Sequence, residues 1–247
     1  MLKIHKNSSR GAADHGWLQS NHSFSFGQFY NPEEMGFGPL LVINEDRVQP
    51  AKGFGTHGHS DMEIISYVLS GALEHKDSIG TGSVIRYGDV QRMSAGTGVR
   101  HSEFNHSSTE RVHFLQIWIE PNVKGIPASY EEKHFDVASK TGNLRLIASP
   151  DGKDGSVLIH QDARIYAAIL GTSNTVEPDQ ESDHESNETL QHTLAAGRTG
   201  YVHVIRGQVD VNGIALKTGD ALKITETDLV EFTNAYAVEL LLFDLPY

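Results

Sequence analysis

The sequence predicts an all-β protein made of two related sandwich or barrel domains, and three observations carry that expectation. Short runs of aliphatic, β-branched and aromatic residues, each bounded by Gly, Asn or Asp, recur from start to finish. No long segment shows helical periodicity. One pattern of strands and glycine turns occurs twice. A chain of 247 residues is long enough for two small β domains, and its 24 glycines suit a turn-rich fold.

Taken in order, the clearest strand-forming runs are 40–44, 63–69, 84–87, 112–119, 144–148, 164–170, 200–205, 221–224 and 238–244. Asp151-Gly152 and Asn212-Gly213 are hairpin-turn dipeptides. The stretch from Pro121 to about Lys140 is mixed polar sequence and reads as the connection between domains. The repeat lies on either side of it. Tyr67-Val-Leu-Ser-Gly71 is followed by Gly88-Asp89, and His203-Val-Ile-Arg-Gly207 by Gly219-Asp220. The expected domains are residues 1–134 and 135–247. Residues 177–188 hold six acidic residues and no Lys or Arg, and read as a solvated loop.

Composition excludes several classes. The formal charge of −12 argues against a general basic surface for nucleic acid or anionic membrane. With no cysteine there is no disulfide, thiolate zinc site or cysteine nucleophile. Neither a signal-peptide pattern nor an apolar stretch of the ~18–20 residues needed to span a bilayer is present, so a soluble cytoplasmic protein is expected.

The chemistry-bearing residues are two spaced pairs. His57 and His59 lie one residue apart, and about forty residues later so do His101 and Glu103. On a strand, residues i and i+2 share a face, so each pair would present two ligand groups to one side of a sheet. Three imidazoles and one carboxylate suit iron, copper, nickel, zinc or manganese. Such an ion would keep one or two positions for water, substrate or dioxygen. The repeat maps His57 and His59 onto Thr193 and Ala195, and His101 and Glu103 onto Phe232 and Asn234, so only the first domain is expected to bind metal. Gly53-x-Gly55-x-x-Gly58 matches a dinucleotide-binding fingerprint. That motif needs a helix next, and strand-like sequence follows. These glycines are expected to let the backbone turn into the ligand strand. His75, His106, His113, His184 and His203 read as surface or satisfied core residues. His113 and Gln116 have opposite parity, so at most one faces the ligands.

Written out, the pattern is Gly53-x-Gly55-x-His57-x-His59-x3-Glu63, then Gly96-x-Gly98-x2-His101-x-Glu103-x-Asn105, and it resembles the two cupin motifs. The segments HGWL (15–18), HSFSF (22–26), FGTHGHSDMEI (54–64), MSAGTGVRHSEFN (93–105) and LQIWI (115–119) resemble the pirin family of bicupins, its bacterial quercetinase-like members above all. Two departures from the general cupin pattern stand out: Ser94 replaces the usual proline of the second motif, and the Gly-to-His spacing is longer. The cupin carboxylate ligand would be Glu63. The pirin-like pattern uses Glu103 instead, leaving Glu63 to orient a histidine.

The resemblance implies two tandem cupin domains with His57, His59, His101 and Glu103 as ligands of one divalent transition metal. Fe2+ is favoured, with Cu2+, Ni2+, Zn2+ or Mn2+ as alternatives. It implies a quercetin 2,3-dioxygenase-type oxidoreductase that opens flavonols with dioxygen and releases carbon monoxide, with Glu103 as the base. Phe24, Phe26, Phe54, Met93, Phe104 and Trp118 are candidates for the wall around a planar aromatic substrate. The alternative is a non-catalytic, metal-binding pirin-like regulatory protein with a protein partner.

Overall fold

The computed structural model describes residues 1–171 and 189–247, so the acidic segment 177–188 and His184 lie outside the described residues. The strands run β1 (Leu2–His5), β2 (Gly11–Asp14), β3 (Leu18–His22), β4 (Leu40–Val48), β5 (Gly53–His59), β6 (Glu63–Ser70) and β7 (Ala72–Asp77). Next come β8 (Gly82–Arg86), β9 (Asp89–Ser94), β10 (Val99–Asn105), β11 (Val112–Ile119), β12 (Ser129–His134) and the short helix α1 (Val137–Lys140). The chain continues through β13 (Arg145–Ser149), β14 (Val157–Leu158), β15 (Arg164–Leu170) and β16 (Leu190–Thr193). It ends with β17 (Arg198–Val211), β18 (Ile214–Lys217), β19 (Ala221–Ile224) and β20 (Leu229–Pro246). No helix among the described residues is long and apolar enough to cross a membrane.

These strands form two compact units. The first comprises Arg10–Phe135 and Ala148–Asp162, the second Met1–Ser9, Asp136–Ile147 and Ala163–Tyr247. Residues 1–9 join the second unit because β1 pairs antiparallel with β19.

In the first unit a seven-stranded sheet, β12-β9-β6-β11-β4-β3-β2, and a four-stranded sheet, β5-β10-β7-β8, make a cupin sandwich. Their core joins Leu18, Val48, Val68 and Phe114 of the larger sheet to Leu73 and Ile85 of the smaller. Along the inner face of the larger sheet this apolar patch gives way to a polar row. Gln91, Ser66, Gln116, Asn44 and His22 are successive cross-strand partners on β9, β6, β11, β4 and β3. Beyond them the face turns apolar again with Ile64, Met93 and Trp118.

The second unit carries the order β1-β19-β17-β20-β15-β13, with β16 on β20 and β18 on β17. Among the described residues its core cluster is apolar throughout. Val202, Val204, Val209, Val211, Leu240 and Leu242 pack there with Phe232. Phe232 faces Val211, four residues after Gly207, just as Glu103 faces His75, four residues after Gly71, so by register it matches Glu103 rather than His101. Gly71 and Gly207 occupy matching left-handed turns, with φ of 76° and 75°. A side chain on either would strike backbone oxygen, of Arg111 at 2.7 Å and of Ala237 at 2.3 Å. That shared requirement is why the repeat shows so clearly at these positions.

Strands β11, β15 and β19 have the expected bounds. Asn212-Gly213 forms the expected two-residue hairpin, with both φ values positive and Val211 facing Ile214. Two expectations need correction. Asp151-Gly152 closes no hairpin, because β13 and β14 pair in parallel. The chain loops back there through an Asx turn, in which Asp151 accepts from the backbone N–H of Lys153. The supposed connection 121–140 contains β12, which pairs with β9. β12 is a half-exposed edge strand carrying Glu131, Glu132 and Lys133, so it lacks the apolar alternation that marks a strand.

Candidate metal centre

β5 and β10 lie side by side in the smaller sheet, with His101 directly opposite His57 and Val99 opposite His59. All three histidine side chains therefore share the inner face. Their ring centroids form a near-equilateral triangle, 4.4 Å from His57 to His101, 4.8 Å from His57 to His59 and 4.9 Å from His59 to His101. One ligand-type nitrogen from each lies within 4.8 Å of the other two.

Between His101 and Glu103 the register slips by one residue, so that Glu103 faces Phe54. The extra residue is on β5, a bulge that re-aims the strand beside the histidines. Gly53 makes the approach feasible: a Cβ there would sit 2.2 Å from Glu103 O and 2.5 Å from Phe104 Cα. Gly53, Gly55 and Gly58 thus do not form the expected turn. All three lie within β5, and none has positive φ.

The three imidazoles fit a transition-metal ion. His57 Nδ1 donates to Gly55 O at 2.8 Å; because a carbonyl only accepts, that nitrogen holds the proton and Nε2 keeps its lone pair. His101 is 1% exposed, yet neither of its ring nitrogens has a hydrogen-bond partner among the described residues. Buried polar atoms are nearly always paired, so this orphaned ring calls for a ligand. Burial pushes His101 down to about 3, helped by His57, His59 and His75. It pushes His59 down to about 4, with His57 adding. At neutral pH both rings are uncharged, the form a metal requires.

Glu103 is 2% exposed and belongs to a second, overlapping group with His75 and His101, whose ligand atoms also lie within 4.8 Å. Gln116 Nε2 donates to Glu103 Oε2 at 2.7 Å, and Ser66 Oγ lies 3.2 Å from both Glu103 Oε1 and Gln116 Oε1. Burial raises the proton affinity of Glu103, and the bonds from Gln116 and Ser66 only partly oppose it.

His75 is a satisfied core residue whose place beside the site the sequence did not show. It is fully buried and directly opposite Glu103 on β7, its ring 5.4 Å from that of His101. Its Nε2 donates to Asp77 Oδ2 at 3.1 Å, and its Nδ1 lies 3.3 Å from Gln91 Nε2. No motif spacing flags it, because its link to the site is cross-strand. The expectation for Glu63 is corrected. It accepts from Ser94 Oγ at 2.9 Å and lies 3.3 Å from His160 Nδ1, so it orients none of the three histidines. β6, which carries it, belongs to the other sheet from β5. Of His113 and Gln116, Gln116 faces the site, while His113 pairs with Glu45 on the opposite face.

A cavity of about 890 Å3 opens beside this centre, lined by His57, Glu103 and Gln116 among others. Aromatic pairs flank it: Trp17 meets Phe54 edge to face at 5.3 Å, and Phe26 meets Trp118 at 5.5 Å. Of the aromatic and apolar candidates, Phe26, Phe54 and Trp118 line it. Phe24 and Met93 are buried core, and Phe104 is 39% exposed.

A three-histidine cluster inside one sandwich of a two-cupin chain defines a bicupin whose candidate metal ligands, among the described residues, gather in the first unit. Comparison with known proteins sharpens the class. The Pirin family matches residues 3–119, and the quercetinase C-terminal cupin domain matches 146–186 and 180–245. The chain is 44% identical to a quercetin 2,3-dioxygenase of Escherichia coli K12 over 247 residues, covering 100% of this chain and 99% of that one. It is 39% identical to a pirin-like protein of Caulobacter vibrioides, covering 95% of each. The crystal structure of the bacterial pirin YhhW from Escherichia coli in complex with nickel(II) superposes with a TM-score of 0.90 at 43% identity, covering 100% of this chain and 99% of that one. The chain belongs to the pirin family.

Proposed function

We propose that the protein is a metal-dependent flavonol 2,3-dioxygenase. His57, His59 and His101 would hold one divalent transition metal, Fe2+ by preference, with Glu103 as a fourth ligand and the base. When bound, the ion supplies Lewis acidity toward a flavonol hydroxyl and a site where dioxygen and substrate meet. The protein does the rest. The aromatic pairs Trp17–Phe54 and Phe26–Trp118 hold a planar ring system between them. Glu103 takes the proton of the flavonol 3-hydroxyl, and Gln116 keeps the carboxylate turned toward that proton. Ring opening then releases carbon monoxide.

One observation carries this reading: a buried carboxyl, Glu103, lines the same aromatic cavity as His57. A carboxylate placed there, next in the strand pattern to His101, is positioned to take a proton from a substrate hydroxyl, as a general base requires. The names of the quercetin 2,3-dioxygenase relatives agree with it. The test is dioxygen uptake and carbon monoxide release by metal-loaded protein with a panel of flavonols. Stoichiometric uptake and release support the reading. A protein that carries metal but consumes no dioxygen with any flavonol is not this enzyme, and a metal-dependent binding role then takes its place.

A further inference from the structure

The cavity wall formed by β3 and β4 holds polar groups that the protein leaves unsatisfied. His22 is 6% exposed, and Asn44 and Asp46 are each 4% exposed. All three line the cavity. Nδ1 of His22, Oδ1 of Asn44 and Oδ1 of Asp46 have no hydrogen-bond partner among the described residues. Neighbouring positions on the same inner face, Leu18, Val48 and Phe114, are ordinary apolar core. A packing role would be met by such residues, whereas three unsatisfied polar atoms along one wall answer to a ligand.

We propose that Asn44 and Asp46 recognise a second hydroxyl group of the substrate, so that the cavity selects polyhydroxylated aromatic rings over rings hydroxylated only at the reacting position. The inference rests on the flavonol reading above and narrows its substrate class. Asn44 and Asp46 are i and i+2 on β4, so their side chains reach out from one face. Asn44 Oδ1 can only accept. The Asp46 carboxyl is pushed up to about 7 by burial, with Glu103 and Glu45 adding to the effect against a hydrogen bond from Ser20. Near neutral pH it therefore offers both an acceptor and an O–H. A phenolic hydroxyl, which donates once and accepts once, complements the pair: it donates to Asn44 and accepts from Asp46. Asn44 is the cross-strand partner of Gln116, which holds Glu103, so this second contact lies one strand away from the proposed base.

The chain has two tryptophans, Trp17 and Trp118, and both line this cavity. Their fluorescence reports binding without turnover. Nickel(II)-loaded protein, kept free of dioxygen, is titrated with flavonols that share the 3-hydroxyl and differ in their other hydroxyls. Wild-type protein is expected to bind the hydroxyl-rich members about tenfold or more tightly than the plain 3-hydroxyflavone, the factor for one well-made hydrogen bond. Asn44→Leu and Asp46→Leu are expected to bring that ratio close to one by weakening the hydroxyl-rich members more than the plain compound. Asp46→Asn, which keeps a donor and an acceptor, retains most of the ratio and covers the case in which Asp46→Leu fails to fold. Equal affinity across the series in wild type, or variants that weaken every member by one factor, would overturn the inference. Hydroxyl-dependent binding without dioxygen uptake would leave it standing and remove the dioxygenase reading; dioxygen uptake with one kcat/KM across the series would do the reverse.

Discussion

Gln116 Nε2 donates to Glu103 Oε2 at 2.7 Å, a bond that spans the two sheets of the first unit. Glu103 stands on β10 of the smaller sheet, next to His101, and Gln116 on β11 of the larger. The amide can donate to the carboxylate, so it stabilises the charged form against the burial that disfavours it. It also leaves the other carboxylate oxygen to Ser66 and to the cavity. The pair is where the sandwich's two layers are coupled at the proposed site of proton transfer.

Glu103→Gln should lower dioxygen uptake with a flavonol by at least ~100-fold, the usual worth of a positioned base. The substitution keeps the side-chain shape and removes a buried charge, so the melting temperature should hold. Wild-type turnover in a folded variant would show that the base is another group.

Metal content should separate the two overlapping clusters. His101→Ala should drop bound metal well below one ion per chain, measured by elemental analysis after exhaustive dialysis. His75→Gln should keep one ion per chain and loosen it by ~10–100-fold, the scale for a group that supports a ligand without being one. If the two variants lost metal equally, His75 would be a ligand rather than a support.

Gly53→Ala should damage the centre from the backbone side. The added methyl would meet Glu103 O at 2.2 Å, and two paired strands cannot both yield without moving β5 and its histidines. A stability loss of about 1–3 kcal/mol in urea unfolding, together with weakened metal binding, is the expected result. An unchanged variant would mean that the bulge tolerates a side chain.

Acid should unfold the protein partly through Glu45. Burial works to raise this carboxyl, but hydrogen bonds from His113 and Arg10, and the charges of Arg10 and Arg47, overcome it and hold the group far below its ordinary 4.5. A carboxyl depressed in the folded state contributes stability that is whole above about pH 4.5 and drains away as pH falls further. Glu45→Gln should therefore flatten the fall in melting temperature below pH 4.5. It should also cost about 1–3 kcal/mol at pH 7, because a neutral amide replaces the carboxylate that pairs with Arg10, whose side chain is 1% exposed, and with Arg47. Parallel pH–stability curves for the two proteins would refute the assignment.

Much of this was legible in the chain itself. Strand-length apolar runs gave an all-β fold, and β11, β15 and β19 fall where those runs begin and end, because a strand with buried faces must be written in apolar residues. Gly71 and Gly207 announced the repeat, since each sits where a side chain would strike a carbonyl. The His57–His59 and His101–Glu103 pairs were visible because a period of two places i and i+2 together on one strand. β12 stayed hidden, for an edge strand needs no alternation.

What the sequence could not carry is which faces meet. Period two says that His75 and Asp77 share a side, and likewise Asn44 and Asp46, but not that one side looks onto His101 and the other onto a cavity. That was decided when the two sheets packed with His75 opposite Glu103, and Gln91, Ser66, Gln116, Asn44 and His22 aligned in one row. Local spacing fixes neighbours along a strand; cross-strand register, the one-residue bulge in β5 and the stacking of layers depend on residues far apart in the chain, and only the folded protein brings those together.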